Sequence, residues 1–194
     1  MPEMTSFEKF FVNRRGSRSY RKMLDRMESA GQLSLARTSQ VLELGAGNGG
    51  LSFLIVERYH PARVYVTDYD PAQVAVAKKK LEGYFGTIPA SIVVERGDAT
   101  QLKYPDGTFD LVMAHYMLHH LGSLPEIFGG LREIARVLRP GGRLLYAEMF
   151  HKREIREHLL DRGFTIVFHE RPWRILHSAD VVIATSPSLN PAGT

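Results

Sequence analysis

The sequence predicts an α/β protein built on one mostly parallel sheet, and three observations predict it. From residue 40 onward, short runs rich in Val, Ile and Leu alternate with helical patterns. The first run passes straight into a glycine-dense turn, VLELGAGNGG at Val41–Gly50, with four glycines in six residues. The last two runs, FTIVFHE (Phe164–Glu170) and ADVVIAT (Ala179–Thr185), are only eight residues apart with no helical pattern between them, so they should pair antiparallel.

Strands are expected near 40–45, 62–67, 90–95, 109–114 and 142–148, each a short β-rich run. Helices are expected near 50–59, 71–83 and 123–138. Pro71 after Asp70 suits a first helical turn, and PDGTFD (Pro105–Asp110) reads as a turn into the fourth strand. After the helix containing LREIARVL, Pro140-Gly141-Gly142 reads as a stop and a turn. A short helix near 151–161 closes at Arg162-Gly163, and SPSLNPAGT reads as a loose tail. The expected division is an N-terminal helical cap at 1–39, a ligand-binding domain at 40–186 and a tail at 187–194.

In the cap, Tyr20, Met23, Leu24 and Met27 share one helical face, with Arg14, Arg18, Arg21, Lys22 and Arg26 broadly opposite. The helix should restart after Gly16, since glycine disfavours a helix interior. Phe7, Phe10 and Phe11 suit an apolar lid ahead of it. Residues 1–40 carry eight Lys/Arg against four Asp/Glu, which accounts for the whole net charge of +4. A solvated basic face explains this, and an anionic acceptor, an RNA or an anionic membrane surface are the sharper readings.

The chain has no cysteine, so disulfides, thiolate nucleophiles and cysteine metal sites are excluded. No apolar run approaches the roughly 18 residues of a membrane span, and a cytoplasmic location is the default expectation.

The glycine turn fits two templates. Gly45, Gly47 and Gly50 match G-x-G-x-x-G, which suggests a dinucleotide. Glu43 argues against that, because a carboxylate at the strand end would face a pyrophosphate seated on the following helix N-terminus. A ligand with a cationic group suits Glu43 better. Asp68 closes the second strand, where a carboxylate can accept both hydroxyls of a ribose. Asp98, in ERGDATQL, is placed to accept from an adenine amino group. A ligand with an amine, a ribose and an adenine but no phosphate satisfies all three acids, and S-adenosylmethionine is such a ligand.

The chain resembles the class I S-adenosylmethionine-dependent methyltransferases over most of its length. VLELGAGNGG, VYVTDYDPAQVAVAKKK, RGDATQLKYPDGTFDLVMAHYMLHHL and LREIARVLRPGGRLLYAE are similar, in order, to that family's successive motifs. The resemblance implies a Rossmann-like three-layer sandwich with strand order 3-2-1-4-5-7-6, strand 7 antiparallel. It implies that Glu43 faces the methionine end and that Gly45, Gly47 and Asn48 form the cofactor loop. Asp68 would hold the ribose, Asp98 with Ala99 the adenine, Tyr69 would pack near the adenosine, and the backbone of His115 would line the cofactor.

Methyl transfer from a sulfonium is an in-line displacement, so alignment and exclusion of water are the main requirements. A base is needed only if the acceptor must lose a proton, and His115, Tyr116 and His119 after strand four are the candidates, with His120 beside them. The competing reading of LHHL is that it starts and packs a helix. His115 and His119 share a helical face if that segment is helical, but no third ligand lies nearby, His115 is expected at the strand end, and no metal is expected.

AHYM (Ala114–Met117) stands where methyltransferases of exocyclic base amines carry Asp/Asn-Pro-Pro-aromatic, which disfavours that substrate class. The absence of cysteine removes the covalent cytosine-carbon route. Strand five passes through Met149-Phe150 almost directly into HKREIREHLLDRGF, so any cover must come from the N-terminal segment, from the hairpin with Trp173 or from another chain. A methyltransferase of a small or lipid-like acceptor is expected, with Phe11, Tyr20, His115, Tyr116 and Trp173 around the acceptor. RNA or protein methylation through the Arg14–Arg26 helix, and a cofactor-binding subunit that needs a partner chain, are the alternatives, with an NAD-dependent oxidoreductase the weakest.

Overall fold

A computed structural model describes residues 6–170 and 179–188, with side chains in the first helix described from Arg18 onward. Among the described residues, seven strands form a sheet in the order β3-β2-β1-β4-β5-β7-β6. This is the α/β class that the sequence predicted and the strand order that the resemblance implied. The chain divides into two compact units, Met1–Asp98 and Ala99–Thr194.

In the N-terminal unit, α1 (Ser6–Ser29) precedes β1 (Gln40–Leu44), α2 (Gly50–Tyr59), β2 (Arg63–Asp68), α3 (Pro71–Phe85) and β3 (Ile92–Arg96). β2 pairs parallel with both β1 and β3. Val41, Leu42, Val64 and Val66 are almost fully buried, as expected of strands in a parallel sheet. Asp70 caps α3, its carboxylate accepting from Ala72 N–H at 2.8 Å ahead of the first-turn proline.

α1 runs without a break through Gly16, where a restart was expected. A single glycine costs about 1 kcal/mol in a helix interior, too little to break a helix anchored by packing. Leu24 and Met27 are fully buried, while Arg18, Arg21, Lys22 and Arg26 are exposed. Arg58 of α2 ties the two helices together, pairing with Asp25 at 2.7 Å and Glu28 at 3.0 Å. Arg21 pairs with Glu57 at 3.0 Å, so one arginine of the basic face has an acidic partner on α2. The side chains of Phe7, Phe10, Phe11 and Arg14 lie outside the described residues.

In the C-terminal unit, β4 (Phe109–His115) leads through a single 3₁₀ turn (Leu118–Leu121) into α4 (Leu124–Val137). β5 (Leu138–Glu148), α5 (Lys152–Asp161), β6 (Thr165–Glu170) and β7 (Asp180–Thr185) follow. Ile127, Leu131, Ile134 and Val137 are fully buried, an apolar stripe on α4 at helical spacing. β5 pairs parallel with β4 and antiparallel with β7, which pairs antiparallel with β6.

β5 starts at Leu138, earlier than expected. Pro140-Gly141-Gly142 is a bulge within it, where the pairing jumps from Phe109↔Leu138 to Leu111↔Arg143. Gly142 is required by space, since a Cβ there would lie 2.8 Å from Arg139 O and 3.0 Å from Phe109 O. LHHL is likewise its own 3₁₀ turn, closed off from α4 by Gly122 at φ +112. His115 closes β4, at the strand end where it was expected, and so shares no helical face with His119. Trp173 and residues 189–194 lie outside the described residues.

Candidate functional site

At the carboxyl ends of β1 and β2, the N-terminal unit gathers acids around the glycine loop. Alternate residues of the loop adopt positive φ, +64 at Gly45, +54 at Gly47 and +70 at Gly49, a conformation only glycine holds cheaply. Ala46 N–H bonds Thr67 O at 2.9 Å, which fixes the loop to β2. Gly47 N–H donates to Asp68 Oδ2 at 2.9 Å, and Asp70 N–H donates to Oδ1 at 3.0 Å. Tyr69 N–H is a further backbone donor, so the Asp68 carboxyl is held by three N–H groups of the loop and the strand end.

Glu43 is 3% exposed. Its Oε2 accepts from Ser52 N–H at 3.0 Å and also from the Ser52 hydroxyl. The carboxyl thereby sits on the first turn of α2, where the helix dipole favours negative charge. Burial nevertheless raises its pKa to about 7, against the Ser52 bonds and with a further push from Asp68. Asp68 is raised as well, first by burial, with the Gly47 and Asp70 N–H groups opposing. Burial, N–H donors and neighbouring acids set both pKa values, and that chemistry accommodates a cation rather than a phosphate.

Asn48 is buried in the loop and its Oδ1 accepts from Gly50 N–H at 3.0 Å, so it shapes the start of α2. The ring of Tyr20 lies against Gly50, with Cε2 3.6 Å from where its Cβ would be. Tyr69 is 37% exposed, with the Arg96 guanidinium 4.9 Å over its ring and Arg96 Nε donating to its carbonyl at 3.1 Å. Gly97 N–H donates to Asp68 O at 3.0 Å, which brings the half-buried Asp98 to the end of β2. The acids and glycines singled out in the first half of the sequence thus converge.

In the C-terminal unit, which opens with the buried Ala99, the candidate residues follow β4. His115 is the last residue of that strand, and burial lowers its pKa to about 4. It is neutral near neutral pH and a weak proton acceptor. Tyr116 takes φ +54, strained for a non-glycine residue, with its N–H bonded to Ala147 O at 2.8 Å. Burial raises the Tyr116 phenol, with Glu148 adding to the effect.

Glu148, the last residue of β5, was missed in the sequence reading. Its side chain is 0% exposed, and its Oε2 lies 2.6 Å from His119 Nδ1. Oε1 accepts from Leu118 N–H at 2.7 Å and more weakly from His119 N–H at 3.4 Å. His119 itself is 14% exposed and packs against His120 at 4.1 Å and Phe150 at 5.3 Å between ring centroids. Opposite Glu148 across the β5–β7 pairing stands the equally buried Asp180, which His169 bonds at 2.9 Å. Lys152 and Arg156 of α5 approach Asp180 at 3.5 and 3.7 Å.

The signal that locates Glu148 was in the sequence, since it closes an apolar strand (LLYAE) as Glu43 and Asp68 close theirs. Ser52, Thr67 and Arg96 had no comparable signal. No helix among the described residues is long and apolar enough to cross a membrane.

Residues 42–146 match the family model described as a methyltransferase domain. The chain is similar to 27-O-demethylrifamycin SV methyltransferase of Amycolatopsis mediterranei, 35% identical over 63% of this chain and 42% of that protein. It is similar to demethylmenaquinone methyltransferase of Deinococcus radiodurans, 33% identical over 56% of this chain and 42% of that protein. The chain thus spans less than half the length of these curated relatives. Among solved structures, a SAM-dependent methyltransferase from Aquifex aeolicus superposes with a TM-score of 0.70 at 18% identity, covering 94% of this chain and 99% of that one, a likeness of fold. The family match takes in more than half of the residues and contains the glycine loop with Glu43 and Asp68, and the chain belongs to the methyltransferase-domain family of class I S-adenosylmethionine-dependent methyltransferases.

Proposed function

We propose that this chain transfers a methyl group from S-adenosylmethionine to a small-molecule or lipid-like acceptor. The observation that carries the reading is the pair of acids, the buried Glu43 and the half-buried Asp68, around a positive-φ glycine loop. A dinucleotide pyrophosphate would meet uncompensated negative charge there, whereas a ligand with an ammonium and a sulfonium would offset it. The names of the relatives, which concern a rifamycin and a menaquinone precursor, support an acceptor of that kind.

The cofactor would supply a methyl group already activated by positive sulfur. The protein's part is to hold and align it. Asp68, the last residue of β2, would accept from the ribose hydroxyls. Asp98 with Ala99 would take the adenine, and Tyr69, braced by Arg96, would cover the adenosine. Gly45, Gly47 and the half of Glu43 turned from Ser52 would meet the methionine end. Asn48 would act through the loop's shape. The pairing of Arg21 with Glu57 weakens the case for an RNA or a membrane on the basic helix.

The test is S-adenosylhomocysteine binding by calorimetry, together with transfer of tritiated methyl into lipid, small-molecule, RNA and protein fractions of a cell extract. We expect binding in the wild type, at least about tenfold weaker binding in Asp68→Asn, and label in the lipid or small-molecule fraction. Binding of NAD in place of the homocysteine compound would overturn the reading. Label in RNA or protein would overturn the acceptor class.

A further inference from the structure

The loop after β4 carries chemistry beyond alignment. We infer that Glu148 is a positioning residue that holds His119 as a proton acceptor, and that the acceptor is therefore one that must lose a proton, such as a hydroxyl or an acidic carbon. The inference rests on the methyl-transfer reading for its reaction and on the C-terminal unit alone for its geometry.

Glu148 is fully buried, and its carboxylate bonds the turn at Leu118–Leu121. Oε1 receives the N–H groups of Leu118 and His119 at 2.7 and 3.4 Å, which leaves Oε2 for the ring. At 2.6 Å a hydrogen must lie between Oε2 and Nδ1. A carboxylate accepts only, so the ring carries its proton on Nδ1 and presents a bare lone pair on Nε2. A neutral histidine without such a partner has no fixed choice between its nitrogens.

A structural tie between strand and turn needs only the two backbone bonds. The third bond fixes a tautomer, the arrangement a general base requires. His115, the last residue of β4, is held neutral by burial and is the poorer base. The titratable groups around His119 are Glu148, His120 in its own turn, Tyr116 at the end of β4, and Asp180 opposite Glu148 on β7.

The step balances without any further reactant. The acceptor's bond to hydrogen breaks and the proton passes to His119 Nε2. The electron pair left on the acceptor forms the new bond to the methyl carbon, and the pair of the broken carbon–sulfur bond stays on sulfur. The imidazolium is stabilised by Glu148 and returns its proton to water after the product leaves.

Glu148→Gln is the informative variant. Its amide oxygen can keep the two backbone donors, while its NH₂ faces Nδ1 and forces the ring proton onto Nε2, with the shape of the loop unchanged. ¹⁵N-histidine NMR, with His119 assigned through His119→Gln, reads the tautomer with no acceptor present. We expect Nδ1–H in the wild type and Nε2–H in Glu148→Gln. Tritiated methyl transfer into an organic-solvent extract of bacterial cells should fall at least about 100-fold in Glu148→Gln.

An Nε2–H tautomer in the wild type would overturn the inference, as would Glu148→Gln transferring methyl within about threefold of the wild type. If Glu148→Gln does not fold, the wild-type tautomer alone decides. A wild type that transfers no methyl to any fraction overturns the methyl-transfer reading, while the tautomer still reports on the pairing of Glu148 with His119.

Discussion

Replacing Glu43 with Gln isolates the energetic cost of the buried acid in the glycine loop. Glu43 has its pKa raised from 4.5 to about 7 by burial. The folded protein thus holds this proton more tightly than the unfolded chain does. The stability it contributes is complete below about pH 4.5 and is lost as pH rises through about 7. At about 1.4 kcal/mol per pH unit, the loss is about 3 kcal/mol. Gln at this position can still accept from Ser52 N–H and never ionises. The wild type should therefore lose about 3 kcal/mol relative to Glu43→Gln between about pH 4 and about pH 8.5, or about 6–12 °C in Tm for a chain of this size. Urea unfolding of both proteins at matched pH measures the difference, and groups common to both cancel. A flat difference would mean that the carboxyl does not titrate in this window. A difference of opposite sign would mean that the α2 N-terminus and the Ser52 donors outweigh burial, and would refute the electrostatic account of the loop.

His115 works the other way: its pKa is lowered from 6.5 to about 4, so the stability it contributes is present above about 6.5 and is lost as pH falls toward 4. His115→Gln should flatten that acid limb by about 3 kcal/mol in the same urea series, and an unchanged limb would count against a buried neutral ring. Gly142→Ala would set a Cβ 2.8 Å from one carbonyl oxygen and 3.0 Å from another, both backbone, and should cost about 1–3 kcal/mol of unfolding free energy. Arg58→Ala removes the partner of Asp25 and Glu28 and should speed amide exchange across residues 18–29, with a loss of about 1–3 kcal/mol. Exchange at the wild-type rate would show that burial of Leu24 and Met27 alone holds α1.

The fold was legible because its signals are local and periodic. Apolar strands bounded by glycine, proline and acids state their own length, and the eight-residue gap before ADVVIAT allowed only an antiparallel return. The misreadings occurred where a local preference was overridden by neighbours. Gly16 lies in a helix whose packed C-terminal half outweighs one unfavourable residue, and Pro140-Gly141-Gly142 became a bulge because β5 resumes its pairing at Arg143. Neither neighbour is visible at the glycine or the proline itself.

The candidate site divides along the same line. An acid that closes an apolar strand can be read from the strand alone, so Glu43 and Asp68 were found, and Glu148 would have been found by applying that rule to the fifth strand as well. What the sequence could not give is whom each acid serves. Glu43 spends one oxygen on Ser52 at the start of α2, whereas Glu148 spends both on the Leu118–His119 turn some thirty residues away in the chain. The same residue type at equivalent strand ends thus has two different tasks, ordering a binding loop in one unit and orienting an imidazole in the other. The histidines of LHHL illustrate the consequence. By spacing His119 and His120 are equivalent, and the 2.6 Å approach of a buried carboxylate is what singles out His119 as the proposed base.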